Sequence, residues 1–165
     1  MYMYISRLID KYLYNRANDE LKKISKFKPD FVVYSIAINV MCILVIGEFK
    51  KTNNYSAIES DIVKLGKQMR LTYNDLVSKR ILHPVVCGII CQGDDKITYF
   101  MDMQSPKQYR MFKISKVKLF KSSEELYFLP HIISSIVQLK NVALETSKKT
   151  EMLLRSFKNK GNINY

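Results

Sequence analysis

The sequence is poor in the residues that build a secreted scaffold. Only three of its 165 residues are cysteine, and Cys42, Cys87 and Cys91 all sit within apolar runs. That is too few for a disulfide framework, so they read as free thiols of a reducing compartment. Tryptophan is absent, histidine occurs twice, and glycine and proline number five and four. No internal repeat and no linker-like segment divides the chain. Acidic residues are scarce as well: fifteen stand against twenty-seven Lys plus Arg, leaving a net charge of +12. Such an excess argues against a cationic substrate and for a polyanionic partner or an anionic membrane surface. No G-x-G-x-x-G, P-loop, G-x-S-x-G or H-E-x-x-H occurs. Nucleotide-binding folds lose support, and no small-molecule cofactor is expected.

What is present is apolar material. At 47% hydrophobic residues the chain can bury a core, and one domain over residues 1–165 is expected, with its core at about 27–142 and a flexible tail at 158–165. The N-terminal MYMYISRLIDKYLY has no basic leader, clean apolar segment and cleavage site, so an intracellular address, nuclear or cytoplasmic, is expected. The stretch Phe31 to Gly47, FVVYSIAINVMCILVIG, is seventeen residues without a charge, at the lower edge of a membrane span. Eight of the seventeen are Val or Ile, Asn39 lies in the middle, and Asp30 and Glu48 close the ends. This suits two buried strands and a turn better than a single-pass helix, and no membrane association is expected.

The apolar residues Ile5, Leu8, Ile9, Tyr12, Leu13, Leu21 and Ile24 recur at helical spacing, which predicts an amphipathic helix over Ile5 to Ile24. Strands follow over Phe31 to Ile38 and Val40 to Lys50, apolar on both faces as covered strands are. After a polar turn from Lys51 to Tyr55, Ser56 and Glu59 form a capping-box pattern. The helix it opens carries the stripe Ile58, Ile62, Leu65, Met69, Tyr73 and Leu76, the strongest periodic signal in the chain. Further strands are expected at Val85 to Cys91, Ile97 to Met103 and Tyr109 to Leu119, separated by Gly93-Asp94-Asp95 and Ser105-Pro106. A last helix starts near Pro130. The order α-β-β-α-β-β-β-α belongs to the mixed α/β (α+β) class: one mixed sheet of about five strands with helices packed on it.

The residues that carry chemistry stand at the two ends of the central hairpin. A turn about Asn39 opposes Asp30 to Glu48 across the strands, with Lys50 on the same face. Like charges facing each other destabilise a sheet, so the pair calls for a cation between the carboxylates or a proton on one of them. Carboxylate oxygens with a nearby carbonyl suit a hard ion such as Mg²⁺. Such an ion activates water and neutralises charge building on a phosphoryl group, and Lys50 is placed to orient that water or to reach a phosphate.

Pro29-Asp30, then Glu48-x-Lys50 after a hairpin-sized gap, followed by a long helix and a strand, resembles the PD-(D/E)xK phosphodiesterase superfamily with its restriction-endonuclease-like fold. The stretches KPDFVV, VIGEFKK and DIVKLGKQMR are also similar to proteins of early-diverging fungi that carry this motif. The resemblance spans about Phe27 to Cys91. It implies that Asp30, Glu48 and the Phe49 carbonyl bind Mg²⁺ (or Mn²⁺), that Lys50 is the catalytic lysine, and that the substrate is DNA or RNA. It further implies that the helix from Ser56 crosses the sheet beside the site, where Lys64, Lys67 or Gln68 reaches a phosphate. Two features depart from the family. Its members usually have a strand before the Asp strand, whereas only Ser25 to Lys28 precede Pro29; and some pair a Gln with a Tyr four residues on, whereas Gln68 and Tyr73 are five apart. A catalytically inactive, nucleic-acid-binding module of the same fold is therefore the alternative.

Other candidates have plainer readings. His83, Cys87 and Cys91 share a spacing of four, but Pro84 interrupts the run and the cysteines read as small buried apolar residues. His131 reads as a helix-start residue. Tyr109 and Phe112 amid Lys107, Arg110, Lys113, Lys116 and Lys118 suit either a nucleic-acid-facing strand or an edge strand guarded by lysines.

Overall fold

The computed structural model describes residues 3–6, 29–37, 40–50 and 55–161, with side chains at 29–35, 41–49, 61–153, 155 and 156. The charge-free apolar run is a hairpin and not one helix: β2 (Phe31–Ala37) and β3 (Val40–Lys50) pair antiparallel. Its outer edge is covered by β1 (Met3–Ser6), with Ile5 opposite Val33. Two expectations are corrected here. The helix from Ile5 gives way at its start to strand, because residues 3–6 satisfy the backbone groups of β2's open edge, and such pairing overrides local periodicity. The strand thought to be missing beside the Asp strand is thereby supplied from the far N-terminal end. Residues 7–28, the remainder of the expected helix, lie outside the described residues.

From β3 the chain passes into α1 (Tyr55–Ser78) and returns as β4 (Val86–Gln92), parallel to β3. A parallel neighbour requires such a crossover. The helix begins at Tyr55, so Ser56 falls inside its first turn; its side chain and the polar turn at 51–54 lie outside the described residues. α1 stops where Arg80 adopts a left-handed φ of 63°. There the Arg80 N–H donates to Val77 O and the Ile81 N–H to Leu76 O, a Schellman closure with Arg80 where glycine is usual.

β5 (Asp95–Ser105) and β6 (Gln108–Lys118) complete an antiparallel meander. The sheet thus has six strands in the order β1-β2-β3-β4-β5-β6, one more than the five expected. A 3₁₀ turn at Ser123–Phe128 leads into α2 (Leu129–Gly161), which is helical through part of the expected tail. Residues 162–165 are outside the described residues. The class is mixed α/β, with a helix on each face of the sheet. No described helix is long and apolar enough to cross a membrane.

The α1 face is oily. Leu65, Met69, Tyr73 and Leu76 pack on Val32, Ile46, Val86, Ile90, Tyr99 and Met101. Gly88 lets the helix settle close: a Cβ there would lie 2.7 Å from Met69 Sδ and 2.9 Å from Leu65 Cδ2. The α2 face sets Leu139 and Ala143 against Val33, Leu44, Val45 and Cys87.

Candidate active site

The position of both acids depends on an irregularity in the hairpin. Phe31, Val32 and Val33 oppose Gly47, Ile46 and Val45, but Tyr34 opposes Ile43, leaving Leu44 as an extra residue between rungs. An inserted residue of this kind shifts every later pair by one. It restores the register expected for a turn at Asn39 and brings Glu48, not Gly47, beside Asp30. Asp30 itself lies one step beyond the ladder, in a bend after Pro29. Its N–H donates to Gly47 O at 3.1 Å, and its Oδ2 accepts from the Phe49 N–H at 2.8 Å. By strand alternation Glu48 follows Ile46 onto the α1 face, while Asp30, in the bend, is tied to β3 through Gly47 and Phe49.

Glu48 is 1% exposed. A carboxylate sunk this deep in an apolar layer requires charged or hydrogen-bonding partners, and α1 supplies two of them one turn apart. Lys64 Nζ donates to Oε2 at 2.7 Å, and Gln68 Nε2 donates to Oε1 at 2.7 Å. Spacing i, i+4 puts both donors on one side of the helix. Gln68 is fully buried, whereas the Lys64 side chain keeps about a third of its surface in solvent.

Lys50 pairs at its Cα with Gln92, the buried last residue of β4, so the carboxyl ends of the parallel strands β3 and β4 meet the start of β2 beneath α1. Open α/β sheets characteristically bind ligands at such carboxyl ends. The side chain of Lys50 lies outside the described residues. Asp61, Gln92 and Thr72 were not anticipated; all three are buried. Asp61, Gln68 and Thr72 recur at steps of seven and four, a polar stripe beside the apolar one on α1 that helical spacing alone would have exposed.

The expected phosphate-contacting residues do not form one surface. Lys64 and Gln68 are engaged by Glu48, and Gln68 is closed to solvent. Lys67 is exposed on α1. Lys107, Arg110 and Lys113 lie away from the acids, because the β5–β6 turn closes the end of the sheet opposite to Gln92. Lys107 occupies that turn at a φ of 68°, and Lys113 is exposed. Arg110 is held by Asp102 through two bonds of 2.9 and 2.7 Å and lies over the Phe112 ring. Lys116 and Lys118 pair with Asp95, and Lys121 with Asp94. Tyr109 donates to Asn74 and meets Tyr73 edge-on, so it is no open stacking platform. Arg110, Lys116 and Lys118 of the basic strand thus share two acids, Asp102 and Asp95, across the β5–β6 pair.

Burial pushes the Cys87 thiol up to about 12 and the Cys91 thiol to about 11, and the Cys87 thiol points to Leu139 O. The His83 carbonyl accepts from Lys149. Among the described residues no group of three or more His, Cys, Asp or Glu side chains is gathered to hold a metal ion. No protein-family model, no curated protein and no solved structure matches the chain.

Proposed function

We propose that the chain is a Mg²⁺- or Mn²⁺-dependent phosphodiesterase of the PD-(D/E)xK type, acting on DNA or RNA. The observation that carries the reading is Glu48, a carboxylate buried at the end of the α1 face and standing beside Asp30 at the mouth of one hairpin. Beside it count the three-strand run β1-β2-β3 and the helical crossover to β4, the context in which that motif would operate. The donor set fits the ion: it is all oxygen, and a carboxylate oxygen accepts more than one contact, so the bonds from Lys64 and Gln68 leave coordination capacity. Asp30, Glu48 and the Phe49 carbonyl would hold it. When bound, the ion would supply Lewis-acid relief of the negative charge that builds on the phosphoryl oxygens. Lys50 would orient water. Gln68 fixes the rotamer of Glu48, and the net charge of +12 draws in a polyanion.

A second reading, a nucleic-acid-binding module without turnover, is favoured by the fact that both Glu48 oxygens already have partners. The two separate in a cleavage assay with Mg²⁺ or Mn²⁺ across wild type, Asp30→Ala, Glu48→Ala and Lys50→Ala. Loss of cleavage in the three variants is expected; equal activity in all four rejects the assignment. Salt-sensitive binding that survives Glu48→Ala, with no cleavage by wild type, marks the module instead.

A further inference from the structure

We infer that Lys64 is an exchangeable internal counter-ion: it neutralises Glu48 while no divalent ion is present, and loading the site turns its ammonium outward to receive the substrate's phosphate. This rests on the reading of Asp30 and Glu48 as metal ligands and adds an order of events to it.

The two donors that hold Glu48 differ in their freedom to leave. Gln68 is fully buried, so its amide has no solvent to turn to. Lys64 approaches from the rim with 32% of its side chain exposed, so its flexible stem can swing the ammonium into water at small cost. Glu48, at 1% exposure, cannot follow it. One cation must therefore be near Glu48 at all times, but a second one at Oε2 would repel the first, since like charges a few ångströms apart in a poorly solvated site interact strongly. Exchange of Lys64 for the incoming ion satisfies both conditions. Asp30 is exposed beside the same mouth, so it would offer an ion a ligand at the surface while Lys64 still holds Glu48.

The consequence extends to substrate. Lys64 and the exposed Lys67 are three residues apart on α1 and hence neighbours on its surface. Of these two, Lys67 is the one available to a phosphate in the ion-free protein, because Lys64 is bonded to Glu48. After exchange both are available at the rim. Metal and nucleic acid then favour each other's binding, as linkage requires.

Calorimetric titration of the full chain with Mn²⁺, in wild type, Lys64→Met, Lys64→Arg and Glu48→Gln, tests the exchange. Removing the competing ammonium should tighten Mn²⁺ binding by about tenfold, Lys64→Arg should bind as wild type does, and Glu48→Gln should lose most of the affinity. Amine acetylation of wild type, read by mass spectrometry, gives a second measurement that needs no variant: Lys64 should react severalfold faster with saturating Mn²⁺, with Lys67 unchanged as internal reference. Should Lys64→Met fail to fold without metal, the acetylation result alone decides. Mn²⁺ binding that is equal in wild type and Lys64→Met, or Lys64 acetylation indifferent to Mn²⁺, overturns the exchange and leaves the metal site standing. No Mn²⁺ binding in any variant, Lys64→Met included, overturns the metal site and the exchange together.

Discussion

The two faces of the sheet bury polar groups in different ways. Beneath α2 they are chiefly neutral hydroxyls that satisfy one another: Thr98 with Ser115 and Ser115 with Ser135 at 2.7 and 2.5 Å, Ser147 with Ser35, and Thr146 with both the N–H and the carbonyl of Val85. Beneath α1 an apolar layer is edged by the buried stripe Asp61, Gln68 and Thr72, and at its end the Glu48 carboxylate is clamped by Lys64 and Gln68. Small hydroxyls can bond to the backbone or to each other at little net cost. A buried carboxylate cannot, and replacing such an ion pair by apolar residues is often neutral or stabilising. Glu48 is therefore poorly explained as a stability device, and that contrast is what directs attention to the α1 face for chemistry.

The largest test of this contrast is Lys64→Met. Stripping the partner from buried Glu48 should cost about 3 kcal/mol in metal-free denaturant unfolding. Glu48→Gln should cost less, because the partly exposed lysine it leaves behind regains water. A Lys64→Met cost no larger than that of a hydroxyl deletion under α2 would erase the distinction between the faces. Next in size is Gly88→Val, which drives a side chain into Met69 and Leu65 and should cost about 2 kcal/mol by overpacking. Beneath α2, Thr146→Val keeps shape but removes both bonds to Val85 and should cost about 1 kcal/mol in the same unfolding experiment.

A smaller effect is expected from Lys96, the buried ammonium on the α2 side, which donates to Ile132 O at 3.2 Å. Burial lowers its pKa below the ordinary 10.5. Between the lowered value and 10.5 the unfolded chain holds the proton more tightly, so the Lys96 contribution to stability should rise with pH across that window and be lost on descending through it. Comparing the pH profiles of wild type and Lys96→Met checks this; parallel profiles would reject it. The smallest effect, outside both layers, is Lys107→Gly in the β5–β6 turn. Relief of the positive φ should raise stability by less than about 1 kcal/mol, visible as a slightly later denaturant midpoint.

Much of the architecture is legible in the chain. The stripe Leu65, Met69, Tyr73 and Leu76 fixes both the existence of α1 and its buried face, and β-branched density together with Gly93 and Ser105-Pro106 marks strands and turns to within a few residues. Asp30 and Glu48 are legible as the two ends of one hairpin because they flank its charge-free run. The bulge at Leu44 is not: its neighbours are all apolar, and no residue type announces which one is skipped. β1 escaped notice because an edge strand four residues long competes poorly with a helical pattern that overlaps it. The ion pairs of the basic strand were hidden too, since Asp95 and Asp102 find their partners only across β5 and β6.

Local periodicity and residue chemistry were enough to set the elements and the apolar faces, because these follow from the repeat of a helix and of a strand, whereas the register of the two acids depended on the bulge at Leu44. Which cation answers Glu48 was settled by the crossover of α1 alone: Lys64 and Gln68 are sixteen and twenty residues away along the chain, and only packing of the helix on the sheet brings their donors to a carboxylate that has no water to turn to.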